Sequence, residues 1–185
     1  AMAPLGAIAL ESLRQANVQL GERVAVVGLG LVGLLITQLL EAAGCHVLAC
    51  DIDPERVALA RRMGAEHACD VGELEPAARQ FTSARGLDAA ILALASRSPE
   101  PVELAGRIAR ERGRVVVVGL FPIEVPRKLY FEKELSLAVR GDLGESIRTR
   151  ESVTRIVGLK LPITLQLAAY AVLLALGIAI PAGVL

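Results

Sequence analysis

Tryptophan is absent from the 185 residues, and aromatic side chains make up only 3% of them. A core must therefore come from the aliphatic residues that carry the hydrophobic content to 54%, a composition suited to parallel strands buried on both faces. Net charge is missing as well: 20 basic and 20 acidic side chains balance, so no global field draws nucleic acid and none is expected as a partner. The three cysteines, Cys45, Cys50 and Cys69, are odd in number and lack C-x-x-C spacing. They read as reduced core thiols of a cytoplasmic domain rather than a disulfide framework. His46 and His67 stand near them without metal-ligand spacing, so no metal site is expected. No secretory signal is read at the N-terminus, and charge is lacking altogether from Leu161 to Leu185.

What is present is glycine in a particular place. Gly28-Leu-Gly30-Leu31-Val32-Gly33 lies between the apolar run Val24–Val27 and the apolar stretch from Leu34 to Ala43. In a strand-to-helix turn of this pattern the first glycine permits the turn, the second lets a phosphate approach the backbone, and the third packs helix on strand. A dinucleotide's pyrophosphate then rests on the helix's positive N-terminus. The motif alone is weak, but a second apolar run, His46–Cys50, ends in Asp51, where a carboxylate can hold the adenosine ribose hydroxyls. Two plainer readings stand beside these: glycines that only make a tight turn, and an Asp51 that only caps the helix starting at Pro54.

Along residues 1–139, short apolar runs alternate with helical patterns, which predicts α/β architecture: a doubly wound parallel sheet of the Rossmann type. Strands are predicted at Arg23–Val27, His46–Cys50, near His67–Cys69, Ala89–Ala93, Arg114–Val118 and Leu135–Val139. Helices are predicted over Leu5–Val18, Leu31–Ala43, Pro54–Met63, Leu74–Phe81 and Pro101–Arg110. Asp53-Pro54 supplies an N-cap, and Gly64 and Gly113 stand where helices should stop. Arg61-Arg62 and the charges from Arg107 to Arg114 read as solvated faces.

Residues 1–139 resemble the cofactor domain of the medium-chain dehydrogenase/reductase family, the zinc-type alcohol dehydrogenases. The resemblance runs through 21–33, 51–60, Met63-Gly-Ala65 and Gly113–Gly119. It implies that Gly28, Gly30, Leu31, Val32 and Gly33 bind pyrophosphate, that Asp51 binds the adenosine ribose with Arg56 beside it, and that Ala93-Leu94 and Gly119-Leu120 approach the nicotinamide through their backbones. Arg56 also reads as a plain exposed residue of a first helical turn. A carboxylate at 51 repels a 2′-phosphate, so the implied cofactor is NAD rather than NADP. The family's zinc-binding catalytic domain and structural zinc lobe have no counterpart in these residues. The chain is therefore expected to bind NAD(H) without turning over an alcohol, its missing partner a catalytic domain or a second copy, and no catalytic residue is nominated.

From about Arg140 the sequence changes character. Residues 141–150, 161–170 and 177–185 resemble the inner-membrane permeases of dipeptide and oligopeptide ABC transporters, which implies a junction near 139–140, a linker over 140–160 and a membrane-spanning apolar helix over 161–185. A bilayer core of roughly 30 Å needs about 20 apolar helical residues, and the 25 uncharged positions of 161–185 supply them. Arg148, Arg150, Arg155 and Lys160 would hold the N-terminal side in the cytoplasm. The other reading of the segment is an apolar helix packed on the sheet. Three functions follow: an NAD-binding dehydrogenase domain, which leads, then a membrane-tethered NAD-binding module, and last a transporter permease fragment.

Overall fold

Six short β-branched or alanine-rich runs zip into one parallel sheet. In a computed structural model that describes residues 3–119 and 121–139, the strands are β1 (Arg23–Val27), β2 (His46–Cys50), β3 (His67–Cys69), β4 (Leu87–Leu92), β5 (Ala109–Val117) and β6 (Ser136–Val139). Their order is β3-β2-β1-β4-β5-β6, every pairing parallel. The order reverses between β1 and β4, so the crevice above their carboxyl ends is the switch point at which open α/β sheets take ligands. The expected linker over 140–160, the expected apolar helix over 161–185 and Leu120 lie outside the described residues. No helix among the described residues is long and apolar enough to cross a membrane.

Side-chain alternation divides the core into two layers. Val24, Val26, Val47, Ala49 and Ile91 face α1 (Ala3–Ala16) and α2 (Leu31–Ala42), while Ala25, Val27, Leu48, Ala90 and Leu92 face α4 (Leu74–Phe81) and α5 (Glu100–Ile108). Each fully buried Val, Leu or Ile contributes about 1.5–3 kcal/mol relative to exposure, and the central strands β1 and β4 are buried almost throughout. The helix following β2, α3 (Pro54–Arg62), starts as its sequence requires: the Asp53 carboxylate accepts from the Glu55 N–H at 2.9 Å and Pro54 occupies the first turn.

The end of α5 departs from expectation. The helix predicted to Arg110 stops at Ile108, and Gly113 lies inside β5 rather than at a helix terminus. Ala109 pairs with Leu87, the register then slips, and Arg114 pairs with Ala89. The intervening residues loop out through Arg112, whose φ of +56° is left-handed. What holds this arrangement is remote in sequence: the Lys133 ammonium donates to the carbonyls of Gly106, Arg107 and Ala109 at 2.9, 2.9 and 2.7 Å, closing the C-terminus of α5. Lys133 itself follows a helix that the pattern did not predict, α6 (Arg127–Glu132). Its buried Tyr130 donates to the Val102 carbonyl at 2.7 Å.

Candidate functional site

The loop from β1 into α2 is built by exclusion of side chains. Gly28 has φ +94°, and a Cβ there would stand 2.7 Å from the Leu94 Cβ and 2.8 Å from the Ala93 carbonyl oxygen. A Cβ on Gly33 would overlap the Gly28 carbonyl oxygen. The first and third glycines therefore let α2 sit hard against the end of β1. Gly30 is different: a Cβ on it meets nothing within 4 Å. That open space lies at the N-cap of α2, where no side chain caps the helix, so the first-turn N–H groups of Leu31, Val32 and Gly33 have no capping acceptor. An anion placed over Gly30 would meet those donors and the positive end of the helix dipole.

Asp51 is fixed to this loop. At the end of β2 and 5% exposed, its Oδ2 accepts from the Leu29 N–H at 2.5 Å and its Oδ1 accepts from the Asp53 N–H at 3.0 Å. A carboxylate has about four acceptor positions, so two are left for further donors. Asp51 does not cap α3, because Asp53 does. Arg56 lies in the first turn of α3, 3.3 Å from the Asp53 carboxylate and 3.8 Å from that of Asp51, with its side chain 52% exposed. Leu94, just past β4, is drawn in from two sides: Gly28 abuts its Cβ, and a Cβ on Gly119 would overlap its carbonyl oxygen. Gly28, Asp51, Leu94 and Gly119 thus lie just past the carboxyl ends of β1, β2, β4 and β5, with Gly30, Leu31, Val32 and Gly33 at the start of α2 and Arg56 in the first turn of α3.

The opposite, amino edge of the sheet carries charges, among them Arg110 and Arg114, which were expected to lie on a solvated face. Arg114 and Glu22 form an ion pair at 2.5 Å with side chains only 19% and 14% exposed, and Arg114 also donates to the Asn17 carbonyl. Asp88 accepts from the Arg23 N–H at 2.9 Å and from Arg110 Nε at 2.6 Å, with Arg85 at 3.4 Å. Burial alone would raise the Asp88 carboxyl, but the Arg23 N–H and the Arg110 and Arg85 guanidiniums outweigh it and hold it below the usual carboxylate range. The signal available in the sequence was only the position of Asp88 at the second residue of an otherwise apolar strand. Arg107, by contrast, is exposed as expected, and it bridges Glu75 and Glu103.

Known proteins share the sequence pattern and the fold. An alcohol dehydrogenase of Rhizobium meliloti (strain 1021) is 30% identical over 138 residues, 75% of this chain and 40% of that protein. The crystal structure of a 2R,3R-butanediol dehydrogenase from Bacillus subtilis superposes with a TM-score of 0.67 at 25% identity, covering 75% of this chain and 40% of that one. A protein from Sinorhizobium meliloti 1021 bound to NADP shares the fold, with a TM-score of 0.64 at 24% identity over 73% of this chain and 42% of that one. This chain thus spans about 40% of the length of the curated relatives it matches. The family model described as zinc-binding dehydrogenase matches residues 32–156, a range that runs through the expected junction at 139–140. With well over half of its residues inside that match, the chain belongs to the zinc-binding dehydrogenase family.

Proposed function

We propose that residues 1–139 are the NAD-binding domain of a dehydrogenase that transfers hydride. The observation that carries this reading is the uncapped N-terminus of α2 with open space over Gly30, tied through the Leu29 N–H to a carboxylate at the end of the next strand. Pyrophosphate over Gly30 would accept from the first-turn N–H groups of Leu31, Val32 and Gly33, and Asp51 would accept the adenosine ribose hydroxyls with its remaining lone pairs. The nicotinamide ring would then lie toward Leu94 and Gly119, where the Leu94 carbonyl stands too close to Gly119 for a side chain on that glycine. The bound cofactor would supply or accept the hydride; the residues here bind and orient it.

The preference we propose is for NAD over NADP. A 2′-phosphate would bring a second negative charge beside Asp51, and Arg56 already answers to two carboxylates, Asp51 and Asp53. Fluorescence titration of the full chain with NADH and NADPH tests both statements. A saturable NADH signal, with NADPH at least tenfold weaker, is expected, and no saturable signal from folded protein overturns the cofactor reading. Zinc does not fit the described residues, among which no three His, Cys, Asp or Glu side chains are placed to hold a metal ion; no step is assigned to it.

A second proposal concerns 161–185 and rests on sequence: the uncharged run would anchor the NAD-binding domain to a membrane as an apolar helix. Vesicle flotation of the full chain tests it. Protein that stays in the dense fraction without detergent removes the anchor and leaves the NAD-binding reading untouched.

A further inference from the structure

Cys50 is the last residue of β2, Cys69 is the last residue of β3, and the two are directly paired in the parallel register. Both side chains enter the same apolar layer, so their sulfurs share a face of the sheet. Neighbouring strands lie about 4.8 Å apart, within the roughly 4.4–6.8 Å between Cα atoms over which cysteines can be bridged. Cys45, at the other end of β2, has no such partner. Cys50 is fully buried, while Cys69 is 4% exposed on a strand that forms the edge of the sheet, where a small oxidant has the shorter way in.

The two thiols are unlike in reactivity. Interaction between the two thiol groups, together with burial, pushes Cys50 far above the ordinary thiol range. The same interaction outweighs burial at Cys69 and lowers it, while the Cys69 S–H of the reduced pair donates to the Ala49 carbonyl at 4.0 Å. Immediately after Cys50 comes Asp51, whose N–H donates to the Cys69 carbonyl at 3.4 Å and whose carboxylate receives the Leu29 N–H of the glycine loop. The pair and the carboxylate thus hang from the same few backbone atoms.

We propose that Cys50 and Cys69 are a reversible thiol–disulfide pair through which hydroperoxides weaken NADH binding at the adjoining site; the proposal rests on the cofactor reading above. The Cys69 thiolate attacks an oxygen of hydrogen peroxide, the O–O bond breaks, and a sulfenic acid forms while the departing hydroxide takes a proton to become water. The Cys50 sulfur then attacks the Cys69 sulfur; the S–S bond forms, the S–O bond breaks, and the hydroxyl leaves with the Cys50 proton as a second water. Two thiols are oxidised and one peroxide is reduced, and an external dithiol reverses the change. Bridging draws the two Cβ atoms to about 3.8 Å, which pulls the ends of β2 and β3 together and shifts Asp51 against the glycine loop.

The full chain, treated with hydrogen peroxide, is assayed for free thiols, for linked peptides by mass spectrometry and for NADH binding by fluorescence. The expected result is a fall from three free thiols to one, a 50–69 link with Cys45 still alkylatable, and NADH affinity about tenfold weaker, restored by dithiothreitol. Cys69→Ala should keep its NADH affinity under peroxide; Cys50→Ala serves the same purpose if that variant does not fold. A reduced chain that binds NADH but keeps three thiols after peroxide, or links through Cys45, overturns this proposal alone, as does a 50–69 disulfide with unaltered NADH titration. A reduced chain with no saturable NADH signal overturns the cofactor reading and this proposal together.

Discussion

The two edges of one sheet are built on opposite plans. At the amino edge, charged side chains answer one another: Asp88 gathers the Arg23 N–H and Arg110, and Arg114 closes on Glu22 and the Asn17 carbonyl, with only its Nε left unpartnered. At the carboxyl edge, side chains are withheld at Gly28, Gly30 and Gly33, the N-terminus of α2 has no side-chain cap, and a single carboxylate, Asp51, reaches the loop. A buried charge that is fully partnered serves the fold, because leaving either partner alone is costly. Backbone donors without a partner serve a ligand. The difference separates stability from binding along the same strands, and substitutions at each edge should therefore fail in different ways.

Gly33→Val should have the largest effect, since even a Cβ there overlaps the Gly28 carbonyl oxygen. Overpacking typically costs about 1–3 kcal/mol, and here it also moves the pyrophosphate loop. A lower Tm together with no measurable NADH binding is the expected outcome. A variant that melts and binds like the parent would show that α2 can retreat freely from β1, and the contrast between the edges would lose its carboxyl half.

Asp51→Asn sharpens the comparison from the same edge. It retains shape and a carbonyl oxygen that can accept from Leu29, but loses charge. Losing a charged hydrogen bond costs about 1.5–3 kcal/mol, so NADH should bind at least tenfold more weakly in titration while the preference over NADPH narrows. Unchanged affinities would reduce Asp51 to a tether for the loop.

Asp88→Asn should do the reverse, lowering stability by about 2 kcal/mol through its charged hydrogen bonds and leaving NADH affinity intact in the folded fraction. The pH dependence carries a sign. Because the folded-state carboxyl is held below the unfolded value, which is about 3.9, Asp88 contributes stability in full above that unfolded value and loses it as pH falls through the lower folded one. Denaturant midpoints measured from pH 6 down to 3 should therefore converge between parent and variant, and a constant gap would remove the charge from the explanation.

Arg56→Ala should be the smallest, under about 1 kcal/mol in stability or NADH binding, since its ion pairs with Asp51 and Asp53 are long and half exposed. A larger loss of NADH affinity, read by the same titration, would place Arg56 in the site.

The amino-acid sequence by itself determined the elements whose reasons are local. The strands β1, β2 and β3 fall where the apolar runs Arg23–Val27, His46–Cys50 and His67–Cys69 predict them, α4 spans Leu74–Phe81 as its apolar spacing demands, and Asp53-Pro54 starts α3. The glycine turn and the carboxylate eighteen positions beyond it were legible for the same reason, because each residue type answers a backbone or charge requirement at its own position. What only the tertiary structure decided depends on partners far along the chain. The end of α5 is fixed by Lys133, the charge on Asp88 is kept chiefly by Arg23 and Arg110 from two other strands, and the meeting of Cys50 with Cys69 is made by strand pairing. The six-residue α6 was hidden because a helix that short has too few turns to print a period, and its position follows from Tyr130 finding the Val102 carbonyl rather than from any propensity of its own.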